Sequence, residues 1–418
     1  MENNGFDYRS RVFLVLFAVN FIFTFAVSII STPRPYLARE FVSAPDLSAD
    51  QIETATMEAY GIMLSVGFVA VTLGYLLGGF AADRVGRKRV VVLSFLILAF
   101  GCGIFSIAPN LFFLFLASFV EMFSVGLSGP AISALVADCS AQCSRGKAYG
   151  IFNLSWVAAQ VPAPLLGGFL AQAVNLRSPF VIAVFVAVGG TMFSLLLRGR
   201  SDENEQGPEE DETPSKEMDS KPLMPLLHVI LLFSMANLAN GLLNGFVGPL
   251  LSGILMFRLK ADPTMFGLVL SISSSLITGL VQIPGGLLTD KFGRKPLVLF
   301  GLLGAPLVFL LGFSRTLLDV GLIIGGISAV GNISSPAISA WLMDLLPQDK
   351  RASVSGITQT VNGVGLSIGP TTGSYVWNLT KPDATTPCGI AALIFAVQLP
   401  FYLMLRETKK DVHQSEKT

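Results

Sequence analysis

The sequence predicts an all-α membrane protein of twelve transmembrane helices, arranged as two six-helix bundles related by pseudo-symmetry. Three observations carry that expectation: an apolar composition, a succession of long apolar runs, and an internal repeat of the whole pattern. Of 418 residues, 52% are hydrophobic and 13% charged, with a mean hydropathy of +0.65. A soluble domain carries about 25% charged residues. Glycine is abundant at 41 residues, which suits helices that pack closely in lipid through small side chains. Net charge is zero, so nothing points to nucleic acid as a partner.

A spanning helix needs about 20 mostly apolar residues, and twelve runs qualify. In chain order they are α1 at 12–37, α2 at 57–82, α3 at 88–108, α4 at 111–138, α5 at 147–172 and α6 at 178–197. The second set is α7 at 225–256, α8 at 264–288, α9 at 296–314, α10 at 317–344, α11 at 352–377 and α12 at 386–405. A closed β-barrel, the other way to satisfy a backbone in lipid, would show short alternating segments instead. The start, MENNGFDYRSR, leads into α1 without a small-residue cleavage site. The first helix is therefore expected to act as its own insertion signal.

Loop charge sets the expected orientation. Arg9 and Arg11 precede α1, and Arg84, Arg87, Lys88 and Arg89 join α2 to α3. Arg145 and Lys147 follow α4, Lys291, Arg294 and Lys295 follow α8, Lys350 and Arg351 follow α10, and Lys409 and Lys410 follow α12. Twelve helices place all of these on one side, and positive loops face the cytoplasm. Both termini are then cytoplasmic, in what is expected to be the cell membrane. The opposite loops are poorer in basic residues, although Arg39, Arg258 and Lys260 occur there. Residues 199–224 form an acidic, polar linker, expected to be flexible. It divides the chain into a bundle at 1–198 and a bundle with a short tail at 225–418.

The two halves repeat each other. Gly79, Asp83, Gly86, Arg87 and Lys88 recur 207 positions later as Gly286, Asp290, Gly293, Arg294 and Lys295. At an offset of 206, Asp138 corresponds to Asp344, Arg145 to Arg351, Gly150 to Gly356 and Pro164 to Pro370. A register held across several helices indicates duplication. Parallel repeats of this kind occur in secondary transporters with the substrate site between the halves.

The loop GGFAADRVGRKR (78–89) resembles the signature loop of the major facilitator superfamily, and GGLLTDKFGRKP (285–296) stands where that family carries its weaker copy. In α5, Gly150, Ala159, Ala163, Pro164, Gly167 and Gly168 resemble the glycine–proline motif of the superfamily's twelve-helix drug:proton antiporters, with two alanines for glycines. The fuller version is in α11: Gly356, Gly365, Gly369, Pro370 and Gly373. Small residues let these helices approach closely, and proline favours a bend. The resemblance implies the major facilitator fold, alternating access, and α1, α4, α7 and α10 around a central cavity.

Candidate residues follow. Asp83 ends α2, where a carboxylate suits the positive N-terminal end of a neighbouring helix; the resemblance implies α11 as that neighbour. Arg87 is expected to pair with Asp138. Gly79 permits a close helix contact and Gly86 a tight turn. Asp290, Gly293, Arg294 and Asp344 repeat the set, and together they are read as a cytoplasmic gate that holds one state and releases in the other. The bland alternative is that the arginines only set topology. Glu121 lies mid-way along α4, where an ionisable residue is costly and usually functional. It is the candidate proton carrier. The resemblance puts Ser118, one turn earlier, where many proton-coupled members carry arginine, so Glu121 is read as the substitute. Arg34, near the outer end of α1, is read as a vestibule gate or an anion contact, with snorkelling as the alternative. Asn237, Asn240 and Asn244 make one stripe on α7. Asn332, Gln160, Gln359 and Asn362 are read as joining it around the cavity; any single amide also suits helix packing.

The chain is thus expected to be a proton-coupled exporter of amphipathic or lipophilic small molecules. Import of a polar solute by symport or uniport is the alternative, and a non-transporting sensor is the alternative from another class. The expected partners are a small-molecule substrate, protons and the bilayer, with the chain a monomer. Four cysteines and two histidines form no ligand cluster, so no metal or other cofactor is expected. No nucleotide loop or nucleophile constellation suggests an enzyme.

Overall fold

A computed structural model describes residues 11–138, 145–197, 226–346 and 351–405, and every regular element among them is helical. The twelve runs appear in order, several broken where proline or glycine interrupts the backbone ladder. Helix α1 is Arg11–Ile29 followed by Pro33–Val42, with Pro33 and Pro35 opening the second piece. Helix α5 is Arg145–Gln160 and then Pro162–Ala173. Helix α7 is Leu226–Gly253 continued by a wider turn at Ile254–Arg258, and α8 joins Pro263–Val269 to Ile277–Phe292 through a similar wide segment, Leu270–Leu276. Helix α9 is Arg294–Gly301 with Gly304–Leu311, and α12 is Thr385–Ala396 with Gln398–Met404. The continuous ones are α2 (Ala49–Val85), α3 (Arg87–Ile107), α4 (Leu111–Asp138), α6 (Ser178–Ser194), α10 (Leu317–Leu345) and α11 (Arg351–Thr380).

Helix α2, Ala49–Val85, starts well before its apolar run. Ser48 caps it by a reciprocal box with Gln51, so a polar turn carrying Asp50 and Glu53 extends it beyond the bilayer-length stretch. Among the described residues, ten segments are long and apolar enough to cross a membrane. Helix α6 is shorter, and α11 is too rich in Gly, Ser and Thr to count by hydropathy. One face of it packs on α2 and α7 through glycines, and Ile357, Val364, Ile368, Tyr375 and Leu379 are exposed on it. The linker at 199–224 and the termini lie outside the described residues, as do Cys139 and Cys143.

Each half has its own interior. Phe13, Phe23, Phe95, Phe105 and Phe180 centre the first. The second has a cluster around Phe246, Ile254, Phe266 and Trp377 at the end away from the basic loops, called here the outer end by the expected orientation, and one at the other end around Phe233, Trp341 and Tyr402. Met57 of α2 and Tyr36 of α1 join the outer cluster of the second half, so the apolar seam between halves lies at the end away from the basic loops.

Candidate functional site

The two halves meet along α2–α11 and α5–α8. At the outer end of α2, Lys381 Nζ lies 2.7 Å from an Asp50 carboxylate oxygen. Trp377 Nε1 donates to Glu53 at 2.8 Å, and Asn378 Nδ2 donates to the Thr54 carbonyl at 3.1 Å. Asn378 opens an Asn-Leu-Thr triplet that reads as a glycosylation acceptor in a secretory-pathway protein; here it is half-buried in the seam. Further in, Ser65 and Thr371 hydroxyls are 2.7 Å apart. On the other side, Gln172 of α5 donates to Asp262 at 3.2 Å and accepts from Thr264.

The glycine motif explains how these helices come so close. A Cβ on Gly167 would strike the Ile29 carbonyl inside the first half, and one on Gly373 the Phe246 carbonyl inside the second. The following residue in each copy faces the opposite half: Gly168 meets the Pro263 backbone, and Ser374 packs against Gly61. Gly365 and Gly369 likewise meet the α7 backbone. Pro164 gives its carbonyl to Thr32 at 2.9 Å, and Pro370 gives its own to Ser374 at 2.9 Å.

Towards the basic loops the halves part. Gly79 and Gly356 have open space where a Cβ would sit, and Asp83 and Gln359 are exposed. The close contact expected of Gly79 is therefore not made among the described residues; the residues leading into α11 and its first side chains, the expected neighbours of Asp83, lie outside them. Arg87 does pair with Asp138 and also reaches the Ala134 carbonyl at 3.3 Å. Arg294 Nε lies 2.7 Å from Asp344. Both pairs stand while this end is apart, and each lies within one half. They brace α3 to α4 and α9 to α10, where a gate that releases on opening was expected. Gly86 and Gly293, at φ 97° and 92°, make the α2–α3 and α8–α9 turns, a backbone region that favours glycine. The side chain of Asp290 and the surroundings of Gly150 lie outside the described residues.

Arg34 and Glu121, read separately in the sequence, meet. Arg34 Nη2 lies 2.7 Å from Glu121 Oε2, with side chains 4% and 0% exposed. Such burial excludes snorkelling. The pair is an ion contact without an aligned hydrogen bond, and Arg34 Nε and Glu121 Oε1 have no partner among the described residues. Arg34 stacks over the Phe105 ring at 5.6 Å. Gly101 of α3 lets the Glu121 backbone approach to where a Cβ would lie 2.8 Å from its nitrogen. Ser118 donates to the Met63 carbonyl at 2.9 Å, a helix–helix tie. Tyr60, buried on α2, faces Ser252 of α7, so the pair sits close to the seam.

The amides divide. Asn362 donates to the Asn237 carbonyl at 3.0 Å and joins α11 to α7. Asn332 donates to Thr278 at 3.0 Å. Gln160 accepts from Ser275 at 3.5 Å across the halves. Asn240 and Asn244 differ: they share a stripe with Gly248, whose Cβ position lies 3.5 Å from Leu64 of α2. That stripe faces the other half, and Asn244 is exposed where the halves have parted. Asp50, Glu53 and Lys381, which tie this seam, are not among the residues that the sequence singles out, because they lie beyond the apolar runs.

The sequence model of the Major Facilitator Superfamily matches residues 16–243 and 233–418. Multidrug resistance protein 2 of Bacillus subtilis (strain 168) is 23% identical over 369 residues, covering 81% of this chain and 88% of the relative. The class E tetracycline resistance protein of Escherichia coli is 22% identical over 386 residues, 89% of each chain. Among solved structures, a D-xylose–proton symporter superposes with a TM-score of 0.75 at 18% identity, covering 95% of this chain and 97% of that one.

Proposed function

The chain belongs to the Major Facilitator Superfamily, and on that premise we propose that it is a proton-driven exporter of amphipathic or lipophilic small molecules working by alternating access. It is an integral, multi-pass membrane protein. The observation that carries the reading is the buried Arg34–Glu121 pair beside a seam closed at one end and parted at the other. By the positive-inside rule the parted end is cytoplasmic, so cargo enters from the cytoplasm or inner leaflet onto the Asn240–Asn244 face. Glu121 carries the proton: neutralised, it releases Arg34; ionised, it recaptures it. The names of the multidrug and tetracycline relatives support the cargo class. A single chain holds both halves of the path, so the working unit is a monomer.

The test uses purified protein in vesicles, with tetracycline and a lipophilic fluorescent dye as probes. An imposed pH gradient is expected to drive flux of at least one probe, and Glu121→Gln to abolish the gradient response while binding stays measurable. Gradient-driven flux unchanged in Glu121→Gln removes Glu121 as the coupling residue. Exposed Asn244 also suits a polar solute carried inward, and the direction of flux relative to the gradient decides between export and import.

A further inference from the structure

The outer piece of α1, Pro33–Val42, is fixed to the second half by two contacts. Tyr36 Oη donates to the Ala261 carbonyl at 2.7 Å, and the Arg39 guanidinium lies 5.6 Å from the centre of the Phe257 ring. Its last turn meets the first half instead, at the turn between α5 and α6. Arg177 Nη2 lies 3.6 Å from a Glu40 carboxylate oxygen, and its guanidinium is 5.7 Å from the centre of the Phe41 ring. A cavity of about 480 Å³ opens there, lined by Glu40, Asn175, Arg177, Ser178, Val181 and Ile182.

The two charges are held side by side but leave much of each other's bonding capacity unused. Among the described residues, the Arg177 side chain makes two polar contacts, at 3.5 Å to the Ser106 carbonyl and at 3.6 Å to Glu40. A charge-assisted hydrogen bond is shorter, about 2.7–2.9 Å. Both side chains are partly exposed at the mouth of the cavity. The turn beneath them is tied down: the Arg177 amide donates to Asn175 Oδ1 at 2.9 Å, and the Ser178 hydroxyl donates to the Leu170 carbonyl at 2.9 Å. Beyond the cavity α6 becomes apolar. Val181, Phe185, Val188 and Met192 are exposed and follow one another by four, three and four residues, which puts them on one helix face. That stripe is about 16 Å long at a helical rise, close to half of a hydrocarbon core of about 30 Å. A ligand that satisfies cavity and stripe together has a cation and an anion in its head and a long apolar chain.

We propose that this is a binding site for a phospholipid whose head carries a primary ammonium, as in phosphatidylethanolamine. Its phosphate accepts from Arg177, its ammonium donates to Glu40, and an acyl chain lies along the α6 stripe. A choline head has no N–H to give Glu40, and a glycerol head sets a net negative lipid against that carboxylate. The lipid joins the outer piece of α1 to the α5–α6 turn. The test uses the full chain in phosphatidylcholine vesicles with a trace of phosphatidylethanolamine bearing a photoreactive diazirine on an acyl chain, and maps the crosslinks by mass spectrometry. Crosslinks at 181–185 are expected about tenfold above those at Leu93, Leu96 and Phe100, an exposed face of α3. Arg177→Gln is expected to lower them to the α3 level. Tenfold corresponds to about 1.4 kcal/mol, which a hydrogen bond to a charged group can contribute. In the unmodified chain, unlabelled phosphatidylethanolamine is expected to displace the probe better than phosphatidylglycerol does. In Glu40→Gln, a change on a different helix, the two are expected to compete equally. Labelling of α6 no higher than that of α3, labelling unchanged in Arg177→Gln, or phosphatidylglycerol still the weaker competitor in Glu40→Gln overturns the proposal. Binding is read without transport, so neither the cargo nor the role of Glu121 enters the outcome.

Discussion

At the Arg34–Glu121 contact two ionisable side chains share a buried site, and each is tolerated because the other is present. Taking one charge out of such a pair leaves its partner buried and uncompensated, which costs about 3–5 kcal/mol, whereas removing both is often neutral. Arg34→Gln is therefore expected to lower the unfolding temperature in detergent markedly, and Arg34→Gln with Glu121→Gln to recover most of the loss. Equal destabilisation by the single and double variants would show that the two side chains do not stabilise each other. Phe105 beneath the guanidinium and Gly101 against the Glu121 backbone hold the pair in place. Among the described residues Arg34 Nε and Glu121 Oε1 have no partners, a cost that suits the proton carrier we propose Glu121 to be.

At the scale of helices, the glycine–proline motif separates into two jobs that neighbouring positions perform. Gly167 faces Ile29 within its own half, and Gly168 faces Pro263 across the seam. Gly167→Ala is expected to force α5 from α1 and reduce yield and thermal stability. Gly168→Ala is expected to leave the half intact and push α5 from α8, raising outer-face labelling of a single introduced cysteine. Identical behaviour of the two alanine variants would show that the register assigned to α5 is wrong. Gly373 and Ser374 repeat the arrangement on α11 against Phe246 and Gly61, so the duplication visible in the sequence extends to which face of the helix does what.

For the whole molecule, the described residues close the seam at the end away from the basic loops and leave it parted at the basic end. Asp83 is exposed there, and we propose that it serves a second state in which α2 and α11 approach at that end. Asp83→Asn is expected to depopulate that state, so that cysteines placed along the inner part of α2 label faster from the basic side. No change in labelling would leave Asp83 with a topological role alone. Arg87–Asp138 and Arg294–Asp344, being internal to the halves, let each half move as a unit while only the seam rearranges. Exposed pairs contribute about 0–1 kcal/mol each, which is enough for bracing and leaves the two states close in energy.

The sequence by itself determined the helices, their order, the duplication and the two residues out of place in lipid, because apolar length, repeat spacing and the cost of buried charge are local properties of the chain. It also placed Gly86 and Gly293 at turns, since the positive φ there excludes most other residues. It missed the polar start of α2 at Asp50 and Glu53, because a hydropathy reading stops where apolarity stops and a capped helix does not. Only the tertiary structure decided that Arg34 and Glu121 are partners, that Asn237 and Asn362 are packing contacts while Asn240 and Asn244 face the seam, and that Tyr36 reaches Ala261. Those pairings join residues far apart in the chain, and which atoms meet depends on how tightly backbones approach at Gly101, Gly168 and Gly248. That distance is set by the packing of whole helices, and no single stretch of sequence carries it.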